Sequence, residues 1–391
     1  MIMRYPPDFR SPQTFMVGLR SVAILGVLLF LLGLFVAPDR AWAGYLIGFV
    51  FFVGLGLSGG LFLSVLTLAG TRWATALRRI PEAMTTTLPA AALMGIVLVP
   101  GVHALYEWAN EAAVADNHLL QHKAGYLNWG FWSLRLVVYF ALWIWATRGM
   151  VRLSRKLDEK DSIVSKRQIL LRAIYFLPIF AVTFSLASID WIKSIEPAWF
   201  STIFGLITLS GLATSGLAVC ILLAIYLKRG PLRHFITMEH LDDLGKIAMA
   251  FALFWGYIWY CQYMLIWYTD MPEETPYYVI RSQGAWAHLS SLNLALNWAI
   301  PFFVLMPKAM RRSETALKRV AWVFLAGQAV NLYMLIEPAL MEGGPQLGLW
   351  EIGPLVGSLC FFLWLTLRAL GDAALVPIGD PHLEESMNHH C

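Results

Sequence analysis

Apolar runs of twenty or more residues, broken by short polar stretches, account for most of the chain. A membrane-crossing helix needs about 20 mostly apolar residues. Ten segments meet that requirement, roughly 15–36, 41–69, 88–107, 126–147, 169–190, 200–227, 244–268, 285–306, 318–340 and 347–369. The polar stretches between them are short, and none reads as a soluble domain. The pattern predicts an all-α integral membrane protein with about ten transmembrane helices in a single membrane domain over 1–391.

Basic residues orient the spans. With the N-terminus inside, the inner loops and tails hold 21 Lys and Arg and the outer loops hold 4, namely Arg40, Lys123, Lys193 and Arg281. Positive charge concentrates on the cytoplasmic side of membrane proteins. One span more or fewer would scramble the alternation, so the bias supports the span count as well as cytoplasmic termini. The first fifteen residues, with Arg4, Pro6, Pro7 and Arg10, lack the shape of a cleavable signal peptide. Composition agrees with a lipid solvent. Hydrophobic residues make up 58% and charged residues 14%, against about 25% charged in soluble domains. The net charge of +4 carries no sign of nucleic-acid binding, because the basic residues sit in loops between apolar spans. Seventeen Trp and fourteen Tyr suit two membrane interfaces. The cysteines Cys220, Cys261, Cys360 and Cys391 form no CxxC or CxxCH. No haem, iron–sulfur or zinc spacing is therefore present. The chain is expected to purify without iron, and any electrons it serves travel on an organic cofactor or a partner subunit.

Two four-span units resemble each other. Helix 2 carries GLGLSGGL (54–61) and helix 6 GLATSGL (211–217). Helix 5 ends in IDWIKSIEPAWF (189–200) and helix 9 in NLYMLIEPAL (331–340), each with Ile-Glu-Pro at the outer edge. A four-span offset keeps orientation, so helices 2–5 (41–199) and 6–9 (200–340) read as parallel four-helix bundles about an axis along the membrane normal. The helices at 15–36 and 347–369 are then peripheral. Gly44, Gly48, Gly56 and Gly60 form a small-residue stripe on helix 2. Such stripes let helices approach closely.

Charges within a bilayer are costly and face protein or water. Arg135 lies about nine residues into helix 4, too deep to reach the interface easily, and needs a carboxylate or several carbonyls. His103 and Glu107 have the i, i+4 spacing of one helix face, just after Pro100, which frees the carbonyl of Ile96. Asp190 and Glu196 end helix 5, and Glu337 ends helix 9. His288 and Asn297 are expected on similar faces of helix 8. For Glu196 and Glu342 the plainer reading is an interface acid wetted by outside water. A His beside a carboxylate suits a quinol, whose hydroxyls lose protons as its electrons leave. The expected outer cluster therefore comprises His103, Glu107, Arg135, Asp190, His288, Asn297 and Glu337, with Arg135 paired to Glu107 or Asp190. On the inner side Thr86, Arg172 and Lys246, with Thr85 and Thr87, form either a proton half-path or ordinary helix caps and interface residues.

The stretch SIDWIKSIEPAWFSTIFG (188–205) resembles the Asp-Trp-x-x-Ser-x-Glu-Pro-x-Trp-Phe-Ser-Thr signature of ActF, one of two NrfD-like membrane subunits of bacterial alternative complex III. The match falls on Asp190, Trp191, Ser194, Glu196, Pro197, Trp199, Phe200, Ser201 and Thr202. Length and span number agree, so the resemblance covers essentially the whole chain. It implies quinol:electron-acceptor oxidoreduction in a bacterial inner membrane, with menaquinol or ubiquinol as possible ligand and lipids bound alongside. The implied partners are an ActC-like NrfD paralogue, an iron–sulfur protein, multihaem and monohaem cytochromes and other membrane subunits. Two other readings stay open: an NrfD-type anchor of another quinone-linked reductase, and a secondary transporter built on repeats.

The topology has a direct test. A cysteine placed at Asn117 should react with an impermeant thiol reagent added from outside, and one at Ser162 should be protected. The reverse pattern would overturn the orientation.

Overall fold

The computed structural model describes residues 9–159, 166–341 and 343–389. Ser162 and Glu342 lie outside the described residues. Among the described residues ten helices are long and apolar enough to cross a membrane. They are α1 (Gln13–Val36), α2 (Pro38–Leu68), α3 (Arg79–Leu105), α4 (Trp129–Lys156), α5 (Lys166–Ile195), α6 (Phe204–Lys228), α7 (Met238–Thr269), α8 (Gly284–Leu305), α9 (Glu314–Leu340) and α10 (Leu349–Leu370). No strand occurs among the described residues. This is a multi-pass, all-helical architecture, and each expected span has its helix. Several run a turn or more beyond the apolar run, as α4 does along its basic stretch Arg148–Lys156, because a helix can continue into water where its side chains are charged.

Helices α2, α6 and α9 are the most buried. In membranes the apolar effect does not drive helices together, so small residues and close van der Waals contact must. The α2 glycines meet that need, but not on one face. A Cβ on Gly48 would stand 2.9 Å from the Pro354 carbonyl oxygen of α10, whereas one on Gly60 would meet Phe176 of α5 and Thr147 of α4. Gly44 also faces α10, against Trp350 and Glu351, and Gly56 faces Thr87 and Leu88 of α3. The stripe is therefore split between partners, because the eight residues from Gly48 to Gly56 advance an α-helix about 80° past two full turns. Helix α1 lies against α10 and α2 through Gly26, whose Cβ would stand 2.7 Å from the Gly357 Cα. Elsewhere α2 packs on α3, α5, α6 and α9, and α6 packs on α5, α7 and α9. Helix α4 packs on α3 and α5, and α8 on α7 and α9.

Ten crossings put both ends of the described chain on one face, here the terminal face. Residues 371–389 cross that face as a strap. Asp380 accepts from Arg78 at 2.6 Å and pairs with Lys166 at 2.7 Å. The Gly379 N–H donates to Asp158, and Ser386 donates to the Trp73 carbonyl while meeting His240 at 3.1 Å. Burial disfavours an ionised Asp380, but the Lys166 bond, the His382 N–H and the Arg78 charge outweigh it and hold the carboxyl below its ordinary value of 3.8. A depressed carboxylate contributes stability above its unfolded pKa and loses it as pH falls through the folded one. Protection of the 371–389 amides, relative to their intrinsic exchange rate at each pH, should therefore be high at neutral pH and fall below pH 3.8. Asp380→Asn should exchange fast already at neutral pH. Equal protection at both pH values would contradict the ionic clasp.

Candidate functional site

The face opposite the termini gathers most of the expected site residues. Arg135 stands on the second turn of α4, nearer this face than expected because the helix starts at Trp129. Its guanidinium binds Asp190 of α5 in a two-pronged pair, Nε to Oδ2 at 2.7 Å and Nη2 to Oδ1 at 2.9 Å. A third donor meets the Tyr126 carbonyl at 2.9 Å, and the rings of Tyr126 and Phe131 cover the cation. Tyr139 donates to Asp190 Oδ2 at 2.8 Å, and Trp132 Nε1 donates to the Asp190 carbonyl at 2.9 Å. Asp190 is 1% exposed, so this pair satisfies the demand that a buried charge be matched and hydrogen-bonded. Burial, then the nearby Asp190 charge, pushes the Tyr126 phenol up to about 12, so it stays a neutral donor at any physiological pH.

His103 and Glu107 do not share a helix face. Helical geometry stops at Leu105 and Tyr106 is extended, its buried side chain placed so that the hydroxyl donates to the Trp191 carbonyl at 2.7 Å. Glu107 begins a separate short turn, and both it and His103 are exposed. The His103 ring meets the Ala109 carbonyl at 3.0 Å. Of the two expected partners of Arg135, the structure supplies Asp190. His288 and Asn297 also fall on different faces: His288 is exposed and Asn297 fully buried. Nine residues of α-helix end half a turn from where they began, and a π turn at Ala295–Ala299 adds to the offset. That turn precedes Pro301, which has no N–H for the Asn297 carbonyl. The Asn297 amide nitrogen donates instead to the Asn293 side chain at 2.7 Å and to the Gly327 carbonyl at 2.9 Å.

Beyond Asp190, the 190–202 segment leaves α5 and ties it to α7, to the α7–α8 connection and to α9. Ser194 donates to the Asp190 carbonyl and turns the chain, while Trp191 packs among Phe49, Phe140 and Trp143. Glu196 is half-buried and ion-paired rather than simply wetted: Arg281 reaches its Oε2 at 3.0 Å. Lys123 donates to the Pro197 carbonyl. Trp199 stacks on Tyr277 with ring centres 3.9 Å apart, and Ser201 donates to Gln262 at 2.7 Å. Phe200 and Thr202 are exposed. Arg281 is the residue that the reading of the sequence missed. Counted there as an outer-loop cation, it is 5% exposed, donates also to the Met334 and Tyr277 carbonyls, and lies over the Tyr277 ring at 3.5 Å. The aromatic pair Tyr277-Tyr278, three residues before it, was the available signal.

Glu337 is fully buried within α9 instead of facing outside water, and neither carboxyl oxygen has a hydrogen-bond partner. One turn earlier, Tyr333 accepts from the Gln346 N–H at 2.9 Å. Near the same face Arg40 of α2 clasps Glu351 of α10 at 2.8 Å, so a second outer-loop cation proves to be a helix clamp. On the terminal face the three inner candidates keep separate company. Thr86 bonds back to the Ala83 carbonyl, as Thr85 and Thr87 do to carbonyls three residues before them. Arg172 lies over Trp145, and Lys246 pairs with Asp242 and Asp243.

A cavity of about 670 Å³ opens beside the 190–202 segment, between α7, α8, α9 and the α7–α8 connection. Gln262, Arg281, Asn293 and Asn331 line it together with Tyr263, Trp267, Tyr277 and Tyr278. It falls within the usual size range of ligand sites, about 300–1,000 Å³. These features define a ten-span membrane protein with a polar, aromatic-walled site close to one face. No family model and no curated protein matches the sequence.

The two ends of the Glu196–Arg281 pair are unequal. Arg281→Gln removes the cation bonded to Glu196 and to two carbonyls, whereas Glu196→Gln leaves those carbonyl bonds. Arg281→Gln should destabilise the purified protein by about 2–4 kcal/mol and Glu196→Gln by about 1 kcal/mol, read from unfolding in detergent. Equal, negligible effects would show that the pair carries no load.

Proposed function

We propose that this chain is an NrfD-like membrane subunit, of the ActF type, in a quinol:electron-acceptor oxidoreductase related to bacterial alternative complex III. The observation that carries the reading is the segment 190–202. Its resemblance to the ActF signature extends over nine residues, and those residues include the contacts that bind the end of α5 to α7 and to the α7–α8 connection. The two-unit organisation belongs to the same proposal, with helices 2–5 and 6–9 as parallel four-helix bundles. Matching helix pairs support it. The α2–α5, α4–α5 and α3–α4 contacts have counterparts in α6–α9, α8–α9 and α7–α8, and α5–α6 has its counterpart in α9–α2. Such matching is what two units related by rotation about one axis along the membrane normal would give.

In this reading the face opposite the termini is the outer face of a bacterial inner membrane, which the basic bias supports. The subunit holds quinol or passes its protons there, and docks the ActC-like paralogue, the iron–sulfur protein and the cytochromes. The exposed rings of Trp267, Tyr268 and Phe200 close to that face suit contact with membrane or partner subunits. The chemistry asked of this chain is positioning and proton acceptance; electron transfer falls to the partners.

Isolation from native membranes in mild detergent tests the reading. The tagged chain should bring down a multihaem cytochrome, an iron–sulfur protein and a second ten-span chain, with quinol-dependent reduction of an acceptor. Recovery with a molybdenum or hydrogenase subunit, or as a lone substrate-binding unit, would overturn it.

A further inference from the structure

The two halves treat the same place differently. With the two Ile-Glu-Pro triplets in register, Asp190 corresponds to Asn331. Before Asp190 the space is filled by the Arg135 guanidinium and the Tyr139 hydroxyl. Asn331 instead borders the 670 Å³ cavity. Around it the charged pair is replaced by carboxamides: Asn293 Nδ2 donates to Asn331 Oδ1, and Asn331 Nδ2 to Gln328, each at 3.3 Å. Gln262 is 2% exposed and lines the cavity. Its oxygen accepts from Ser201, and its amide nitrogen remains available to an occupant.

That lining selects a class of ligand. Carboxamides both donate and accept, and carry no charge. Arg281 is already neutralised by Glu196 and the other charged lining residue is the acid Asp270, exposed at the rim, so the pocket offers no free cation to draw an anion. Tyr263, Trp267 and Tyr278 provide flat apolar walls, and Tyr263 and Trp267 are also exposed on the outer surface of the helices. A neutral, flat, lipophilic ring with hydrogen-bonding oxygens fits each of these features. An aliphatic chain leaves the buried amides unmatched, at a cost comparable to a lost hydrogen bond or more, and an anion meets amides but no free counter-charge.

We propose that this cavity in the α6–α9 half receives the head group of a quinol or quinone, with Gln262 donating to a ring oxygen. The proposal rests on the reading of the chain as a subunit of a quinol-oxidising complex, and it adds the location. The corresponding place in the α2–α5 half is closed by its salt bridge.

The purified complex, photolysed with a short-chain azidoquinone and digested for mass spectrometry, tests it. Label should fall on peptides within 259–291 and 328–335 and be displaced by excess decylubiquinol. Gln262→Leu should raise the azidoquinone concentration for half-maximal labelling about tenfold. If that variant does not assemble, Tyr263→Ala should produce the same weakening. A complex that oxidises quinol but takes its label beside His103 and Asp190, or only on a partner subunit, overturns the location and leaves the functional reading standing. A complex that neither oxidises quinol nor takes label overturns both.

Discussion

A guanidinium withdrawn from water between helices has to be matched completely, and that requirement at Arg135 organises the face opposite the termini. Asp190 answers it with both carboxylate oxygens, the Tyr126 carbonyl takes a third donor, and two rings cover the cation. Removing one member of a buried pair typically costs about 3–5 kcal/mol, because the other is left charged and unmatched. With Asp190 held by its side chain from Arg135 and Tyr139 and by its carbonyl from Trp132 and Ser194, the end of α5 has little freedom. The segment that follows is therefore launched in one direction. Glu196, Trp199 and Ser201 then meet Arg281, Tyr277 and Gln262 in turn. Three contacts of different kinds, ionic, stacked and hydrogen-bonded, join a rigid end of α5 to the wall of the cavity.

The apolar runs made all ten spans legible, since a lipid solvent demands long continuous stretches and tolerates few charges. The need of Arg135 for a carboxylate was legible for the same reason, and Asp190 was one of two named partners. The failures have physical causes. His103 and Glu107 have helical spacing, but spacing implies a shared face only while the helix continues, and the extended Tyr106 ends it to reach Trp191. Arg281 and Arg40 were counted as loop cations because their partners, Glu196 and Glu351, lie 85 and 311 residues away. The π turn before Pro301 rotates Asn297 inward, an effect that a count of 3.6 residues per turn does not contain. The cavity was not legible at all, because it is bounded by four elements and belongs to none.

The contrast between Asp190 and Asn331 gives these details a common sense. In one half a charged pair fills the space at the end of the fourth helix of the unit and fixes the chain leaving it. In the other, neutral amides border an opening beside the anchored segment. In the proposed two-unit organisation loss of charge and gain of space fall at the same position, which is what a duplicated unit would show if one copy served as the frame and the other as the site.

The claim on which the account rests is that Arg135 and Asp190 act as one interaction. A double-mutant cycle with Arg135→Gln, Asp190→Asn and the combined variant, read as unfolding free energy in detergent, measures it directly. The account predicts a coupling of about 2–3 kcal/mol, with the double variant more stable than the sum of the single losses would give. A coupling near zero, with the single losses adding, would show that the two residues are held independently and would remove the anchor from which the rest of the site is built.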